Sequence, residues 1–285
     1  MKKILVCGAD GQLGSEIQFL HTQYPQYEFL FTDYKDLDIR DFEKCREYIQ
    51  NNKPDLIINC AAYTAVDLAE TEQEKCFAIN VSGVENLARC SSMNRIPVIH
   101  FSTDFVFDGN LQGAYKEYDA PNPISYYGKT KWLGEQVLAE YTRNFILIRT
   151  AWVYSSFGKN FVKTILKLAA ERSEINVIND QFGSPTYARD LAKVILDIIP
   201  QVNEKTSGIY HYTNDGVITW FDFATEIVRI AGLNCIVNPI PTSAYPTAAI
   251  RPANSALDKS KITETFGIQL TGWKKSLSDC MRLLQ

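Results

Sequence analysis

Two adjacent tyrosines followed by two lysines have the types and spacing that could do chemistry. The segment SYYGKTKWLGE, residues 125–135, holds Tyr126, Tyr127, Lys129 and Lys131. A phenol can donate the proton that a ketone oxygen needs when a hydride reduces it, although its ordinary pKa is about 10. A neighbouring ammonium group would lower that pKa. On a helix, residue i neighbours i+3 and i+4, so Tyr127 would face Lys131 and Tyr126 would face Lys129. The spacing alone leaves both pairs open.

Three regularly spaced glycines near the N-terminus predict a site for a dinucleotide. The segment VCGADGQLGSEI, residues 6–17, follows an apolar run and places Gly8, Gly11 and Gly14 at a GxxGxxG spacing. In this interpretation Gly8 permits a tight turn, Gly11 lets the backbone approach a pyrophosphate, and Gly14 allows close helix–strand packing. The N-terminus of the following helix would then face the phosphates with free N–H groups.

Residues at the ends of later apolar runs fit the same site. Asp33 lies nineteen residues after Gly14, where an acidic residue can bind ribose hydroxyls. It would repel a 2′-phosphate and favour NADH, whereas Lys35 could compensate it, so NADPH and NADH both remain. Small residues, Ala61 and Ala62, leave room beyond another run. The hydroxyl of Thr103, at the end of a further run, could donate to a carbonyl oxygen.

The order of the elements explains how these residues would meet. Short apolar runs alternate with amphipathic segments in the first half of the chain, at residues 3–7, 28–33, 55–62, 97–103 and 145–150. This alternation predicts an α/β fold, a Rossmann-type doubly wound parallel sheet. We expect a dinucleotide-binding core over 1–151 with returning segments around 184–213. A smaller C-terminal substrate-binding lobe would comprise about 152–183 and 214–285, and the proline-rich stretch 238–255 would be an irregular loop.

Composition narrows the class of protein. Of the 285 residues, 46% are hydrophobic and 22% charged, and the net charge is −4, which favours neither a nucleic-acid nor a membrane partner. The seven cysteines form no CxxC pair and the three histidines show no metal-ligand spacing. We therefore expect a cytoplasmic protein with no metal site.

Three motifs together resemble those of the extended short-chain dehydrogenase/reductase family. They are GxxGxxG, STDFVFDG at 102–109 and YGKTKWLGE at 127–135. The resemblance implies that Tyr127 is the catalytic acid, that Lys131 also holds the nicotinamide ribose, and that Thr103 is the catalytic hydroxyl. It leaves Tyr126 as a substrate-side or packing residue. It also implies cofactor contacts at Gly11, Gln12, Leu13, Asp33, Asp38, Ile39, Ala61, Ala62 and Tyr63, with Asn80 as a structural or relay asparagine.

Further segments are similar to nucleotide-sugar reductases within that family. They are NCAAYTAVDLAE (59–70), RTAWVYSSFGKNFVKTIL (149–166), INVINDQFGSPTYARDLA (175–192) and PIPTSAYPTAAIRPANSALD (239–258). The likeness implies NAD(P)H-dependent reduction of the C4 keto group of dTDP-4-dehydro-β-L-rhamnose, in a pathway that supplies polysaccharide. It also implies that Thr103, Asp104 and Trp152 contact the sugar. Trp152 could present a flat face to that ring, and Arg251 could bind the diphosphate.

One departure from the family pattern concerns a metal. Some relatives dimerise around Mg²⁺ held by glutamates, and Glu16 fits the first of these positions, but the second is Arg189. A bridging Mg²⁺ is therefore not expected, and the chain would be a monomer or a homodimer.

The same residues bear on other functions of the superfamily. Dehydratases of the superfamily carry an acidic residue where this chain has Phe105, which disfavours dehydration, and epimerases retain a tightly bound NAD. A reductase of another nucleotide-linked deoxy-keto sugar remains an alternative. So does a non-catalytic nucleotide-binding subunit like the regulatory subunit of methionine adenosyltransferase.

Overall fold

The computed structural model describes residues 1–284, which form twelve strands and ten α-helices. The strands are β1 (Lys2–Cys7), β2 (Tyr27–Thr32), β3 (Leu56–Asn59), β4 (Val98–Thr103), β5 (Phe145–Thr150), β6 (Val153–Tyr154), β7 (Glu174–Ile178), β8 (Phe182–Gly183), β9 (Thr186–Tyr187), β10 (Gly208–His211), β11 (Ile218–Thr219) and β12 (Ile236–Ile240). The helices are α1 (Gln12–Leu20), α2 (Phe42–Asn52), α3 (Gln73–Phe77), α4 (Gly83–Asn94), α5 (Tyr126–Tyr141), α6 (Phe161–Glu171), α7 (Ala188–Ile198), α8 (Trp220–Ala231), α9 (Ser260–Phe266) and α10 (Trp273–Met281).

A six-stranded parallel sheet forms the centre of the molecule, in the order β10-β5-β4-β3-β1-β2. Its inner strands are apolar along most of their length because helices cover both faces. The predicted doubly wound parallel sheet is thus confirmed. The strand order reverses between β1 and β3, and ligands of such sheets bind beyond the carboxyl ends of the strands at that point.

Separate apolar clusters lie on the two faces of the sheet. On one face α1 and α7 pack against β1, β3, β4 and β5 through buried side chains such as Ile17 and Leu191. On the other face α2, α4 and α5 cover the sheet with residues such as Ile49, Leu87 and Leu138. The two layers hold the carboxyl ends of the strands in fixed positions.

The rest of the chain builds a smaller unit around a third apolar cluster. There α6, α8 and α10 pack on the two-stranded pairs β7–β12 and β6–β9. Within 184–213, β10 pairs with β5 in the central sheet and α7 packs on α1. The boundaries expected for the core and the lobe stay a prediction.

The proline-rich stretch 238–255 is only partly irregular. The prediction of a loop is wrong at its start, where β12 runs through Pro239 to Ile240 and pairs in parallel with β7. A proline lacks the backbone donor, but β12 is paired on one side only, and an edge strand tolerates proline for that reason.

No helix in the described part of the chain is long and apolar enough to cross a membrane.

Candidate active site

The glycine loop connects β1 to α1 by close backbone packing. Gly8 has a φ of 70°, and a Cβ added to it would lie 2.5 Å from the backbone N of Ala61, at the end of β3. A Cβ on Gly14 would overlap the carbonyl oxygen of Gly8. Gly11 begins α1 without any side-chain cap, so the first N–H groups of that helix face the loop. This cradle, with Gln12 and Leu13 half-buried in the first turn, fits a pyrophosphate.

The acidic residues after β2 lie beside this loop. Burial, together with the neighbouring carboxylate of Asp10, raises the pKa of Asp33. Lys35 forms no ion pair with Asp33 among the described residues, and its Nζ lies 5.8 Å from the centre of the Tyr34 ring. The compensation of Asp33 by Lys35 towards a 2′-phosphate stays a prediction.

Asp38 and Ile39, the next implied cofactor residues, are engaged in different ways. Arg40 forms a bidentate ion pair with Asp38, and this pair lowers the pKa of the Asp38 carboxyl group. The side chain of Ile39 is buried against Gly83, and its carbonyl oxygen accepts from Asn86 at 2.9 Å. Their cofactor contacts stay predictions.

Asn80 organises the segment that follows β3. Its Oδ1 accepts from the backbone N of Tyr63 at 2.9 Å, and its Nδ2 donates to the Tyr63 carbonyl at 3.1 Å and to Thr130 of α5 at 3.2 Å. It lies in the π-helical turn 78–82 that joins α3 to α4. These contacts give Asn80 a structural role, holding the backbone that leads from Ala61 and Ala62 to Tyr63.

The N-terminus of α5 is fixed against the end of β4. The Ser125 hydroxyl caps it by accepting from the N of Gly128 at 3.2 Å. Gly128 has no room for a side chain, because a Cβ there would overlap the carbonyl oxygen of Phe105. The backbone N of Tyr126 donates to Glu70 at 2.8 Å, and the Tyr126 ring is half-buried, whereas Tyr127 is buried.

Tyr127 lies at the end of β4 with Thr103. Burial raises the pKa of Tyr127 above its usual range, and the nearby Thr103 hydroxyl partly offsets that increase. The expected net lowering of the pKa of this tyrosine is wrong for the protein alone, because desolvation is the dominant effect. Tyr127 therefore holds its proton at neutral pH, as an acid must before it acts.

Lys131 is buried one helical turn after Tyr127 and points to the sheet. Its Nζ donates to the Phe101 carbonyl of β4 at 2.6 Å. Burial lowers the pKa of Lys131 to about 8, and the Glu135 carboxylate counteracts that decrease. Glu135 itself forms a buried bidentate ion pair with Arg149 of β5, at 2.9 and 2.7 Å.

Asp104 directly follows Thr103 and is also buried. The Thr103 hydroxyl donates to Asp104 Oδ1 at 3.0 Å and accepts from the N of Phe105 at 3.2 Å. Asp104 Oδ2 has no hydrogen-bond partner among the described residues. Burial raises the pKa of Asp104 to about 6, and the Ser255 hydroxyl, near the carboxylate but outside hydrogen-bond geometry to Oδ2, partly offsets the effect. A buried carboxyl oxygen without a partner is suited to a sugar hydroxyl.

The two residues expected to contact the nucleotide sugar from the C-terminal half are placed differently. Trp152, half-buried just after β5, has its ring stacked on Trp220. Arg251 pairs with Asp67 at 3.0 and 2.8 Å, and Asp67 also accepts from the N of Ala249. Arg251 is thus already held by a carboxylate, and its contact with a diphosphate stays a prediction.

The position considered for a bridging metal holds an ion pair. Glu16 is fully buried, and its carboxylate accepts from Arg189 at 2.7 Å and from the Ser155 hydroxyl at 2.6 Å. No group of three or more potential metal ligands occurs within residues 1–284.

Sequence reasoning missed several residues that support the site. Glu135 carries a signal, since it lies four residues after Lys131 on the same face of α5. The sequence gives no such signal for three other residues, because only the fold brings each beside its partner more than sixty positions away. They are Trp220 beside Trp152, Ser255 beside Asp104, and Asp67 beside Arg251.

The chain is similar to known proteins over nearly its whole length. A family model described as the RmlD substrate binding domain matches residues 1–285. The chain is 41% identical to a dTDP-4-dehydrorhamnose reductase of Aggregatibacter actinomycetemcomitans, over 98% of each protein. Among solved structures, a dTDP-4-dehydrorhamnose reductase of Clostridium acetobutylicum has a TM-score of 0.95 at 40% identity, and 99% of each chain is covered. One from Bacillus anthracis, solved in complex with NADP, has a TM-score of 0.94 at 36% identity, again covering 99% of each chain.

Proposed function

The chain belongs to the family described as the RmlD substrate binding domain, and on that premise we propose that it is a dTDP-4-dehydrorhamnose reductase. It reduces the C4 keto group of dTDP-4-dehydro-β-L-rhamnose to give dTDP-L-rhamnose, the last step of dTDP-rhamnose biosynthesis, with NADPH or NADH. The observation that carries the proposal is the convergence of Thr103, Tyr127 and Lys131 at the carboxyl end of β4, in the same sheet edge as the glycine loop.

The cofactor supplies the hydride, and the glycine loop together with the uncapped N-terminus of α1 would hold its pyrophosphate. The residues of the chain then act on the sugar. The Tyr127 phenol donates its proton to the C4 oxygen, and the nearby Thr103 hydroxyl would turn its proton from Asp104 Oδ1 to orient that oxygen. The Lys131 ammonium stabilises the phenolate that this transfer leaves behind.

Asp104 and Trp152 would orient the sugar. The partnerless Oδ2 of Asp104 would accept from a hydroxyl, and the Trp152 indole would cover the ring. Arg251, held by Asp67, would bind the diphosphate with its remaining donors. We also propose that the enzyme works in the cytoplasm, as a monomer or a homodimer without a bridging metal, since all seven cysteines are free thiols and Arg189 already pairs with Glu16.

The test is to mix the protein with NADPH and the keto-sugar and to follow the absorbance of the reduced nicotinamide. Tyr127→Phe should lower kcat by about 10²–10⁴ while the affinity for NADPH, measured by its fluorescence, stays close to that of the wild type. Tyr126→Phe is the matched control and should retain activity. Normal turnover by Tyr127→Phe, with loss in Tyr126→Phe, would overturn the assignment, and no turnover by the wild type would overturn the proposed substrate.

A further inference from the structure

Trp152 has a backbone conformation that a bulky residue rarely adopts. Its φ is 48°, and the other non-glycine residues with positive φ in the described chain, Lys53 and Arg95, terminate helices. Trp152 terminates none, since it lies between the end of β5 and the start of β6. The left-handed region is unfavourable for such a residue and persists only where surrounding contacts enforce it.

The ring of Trp152 packs on a second indole. Trp220 stacks on Trp152 with ring centres 3.5 Å apart and an angle of 11° between the planes. Phe161 supports Trp220 at 4.6 Å. Trp220 is the first residue of α8, and the reciprocal hydrogen bonds of Thr219 and Asp222 fix that helix end.

The absence of a side chain at Gly183 also leaves room for the indole of Trp152. A Cβ on Gly183 would lie 2.8 Å from ring atoms of Trp152 and 2.9 Å from the Ser255 hydroxyl oxygen. Ser255 in turn lies beside the Asp104 carboxylate. The stacked pair is therefore next to the edge of the sheet where Thr103 and Tyr127 lie.

From these contacts we propose that Trp220 is a positioning residue for the nucleotide sugar. It holds the Trp152 indole, which lies beside Gly183, in the orientation that receives the sugar ring. The inference rests on the proposed function and adds to it a residue that acts through Trp152. Because Trp220 acts through Trp152 and transfers no proton, its loss should weaken substrate affinity and leave the chemical step largely unchanged.

The test compares Trp220→Ala with Trp220→Phe and with Trp273→Ala. Trp273 belongs to the same apolar cluster but lies against Phe223 and Gly216, so its removal is a matched control for the loss of one indole. Trp220→Ala should raise KM for the keto-sugar about tenfold, the loss expected for a strong aromatic pair. The kcat and the KM for NADPH should stay within about twofold. Trp220→Phe should recover most of the loss.

A second measurement separates this inference from the proposed function. Binding of dTDP-glucose, a stable nucleotide sugar, is titrated by calorimetry in each variant. Weaker binding by Trp220→Ala, by about tenfold, supports the inference even if the wild type fails to reduce the keto-sugar. An unchanged affinity and KM, or an equal effect of Trp273→Ala, overturns it while the proposed function stands.

If Trp220→Ala does not fold, Gly183→Ala tests whether the position of the Trp152 indole sets substrate affinity. Its methyl group would press on the Trp152 ring, and it should raise KM for the sugar with kcat preserved. Wild-type KM in that variant would contradict the proposal.

Discussion

Lys131 offers the sharpest test of the electrostatics of the site. Burial lowers its pKa from 10.5 to about 8, so between these values the unfolded chain binds more protons than the folded one. The free energy of unfolding contributed by this residue therefore rises as the pH increases through that window. Below about pH 8 the buried ammonium destabilises the fold, and above about pH 10.5 both states are neutral and the destabilisation is absent.

Replacing Lys131 by Met removes this titration while keeping a side chain of similar length. With folded and unfolded pKa values of about 8 and 10.5, the buried charge costs about 3 kcal/mol at pH 7 and about 1 kcal/mol at pH 9.5. The stability of the wild type relative to Lys131→Met should therefore increase by about 2 kcal/mol between those two pH values. Loss of the hydrogen bond to Phe101 adds a constant difference in stability between the two proteins, but it does not alter how that difference changes with pH.

Urea unfolding followed by tryptophan fluorescence at pH 7, 8 and 9.5 measures the difference. Lys129→Met is the matched control, because Lys129 is exposed on the same helix, and its stability difference from the wild type at each pH is the baseline for Lys131→Met. If the stability difference between the wild type and Lys131→Met does not change with pH, the buried ammonium does not destabilise the fold. If the wild type instead loses relative stability as the pH rises, an ion pair outweighs desolvation.

Three other predictions concern buried carboxylates. The pKa of Asp104 is raised to about 6, so the folded state binds more protons than the unfolded state between about pH 4 and 6. In thermal unfolding, the stability of the wild type relative to Asp104→Asn should therefore fall by about 2 kcal/mol as the pH rises from 4.5 to 7.5. A difference that does not change with pH would contradict this. Glu135→Gln leaves Arg149 without its buried partner and should cost about 3–5 kcal/mol in urea unfolding, and a loss below about 1 kcal/mol would show that the pair is solvated. Because Glu16 is neutralised by Arg189, EDTA should leave the molar mass measured by light scattering unchanged, whereas dissociation would indicate a bridging metal.

The central sheet was predictable because parallel strands covered on both faces are continuous apolar runs, as in LIIN of β3 and VIHFST of β4. The proton donor was assigned from the resemblance, since helical spacing alone allowed either tyrosine. Two local rules failed. The proline rule missed β12, because an edge strand needs donors on one side only. The pairing of Tyr127 with Lys131 neglected desolvation, which depends on burial and is absent from spacing.

Tertiary contacts between distant segments were the least predictable part. The stacking of Trp152 on Trp220 joins residues 68 positions apart, and Asp67 meets Arg251 across 184 positions. Neither pair leaves a periodic pattern, because each is produced by how the smaller unit packs on the sheet edge.

The late arrival of β10 in the sheet has a consequence for synthesis on the ribosome. β5 stays an open edge until residue 211 has been translated, 61 residues after β5 ends at Thr150. At about 5–20 residues per second, the nascent chain exposes that hydrophobic edge for about 3–12 s. We expect a nascent chain halted after β5 has left the ribosome, but before residue 211 is made, to recruit chaperones and to be cut readily by protease. One halted well beyond residue 211 should resist, and equal protease sensitivity would contradict this order of events.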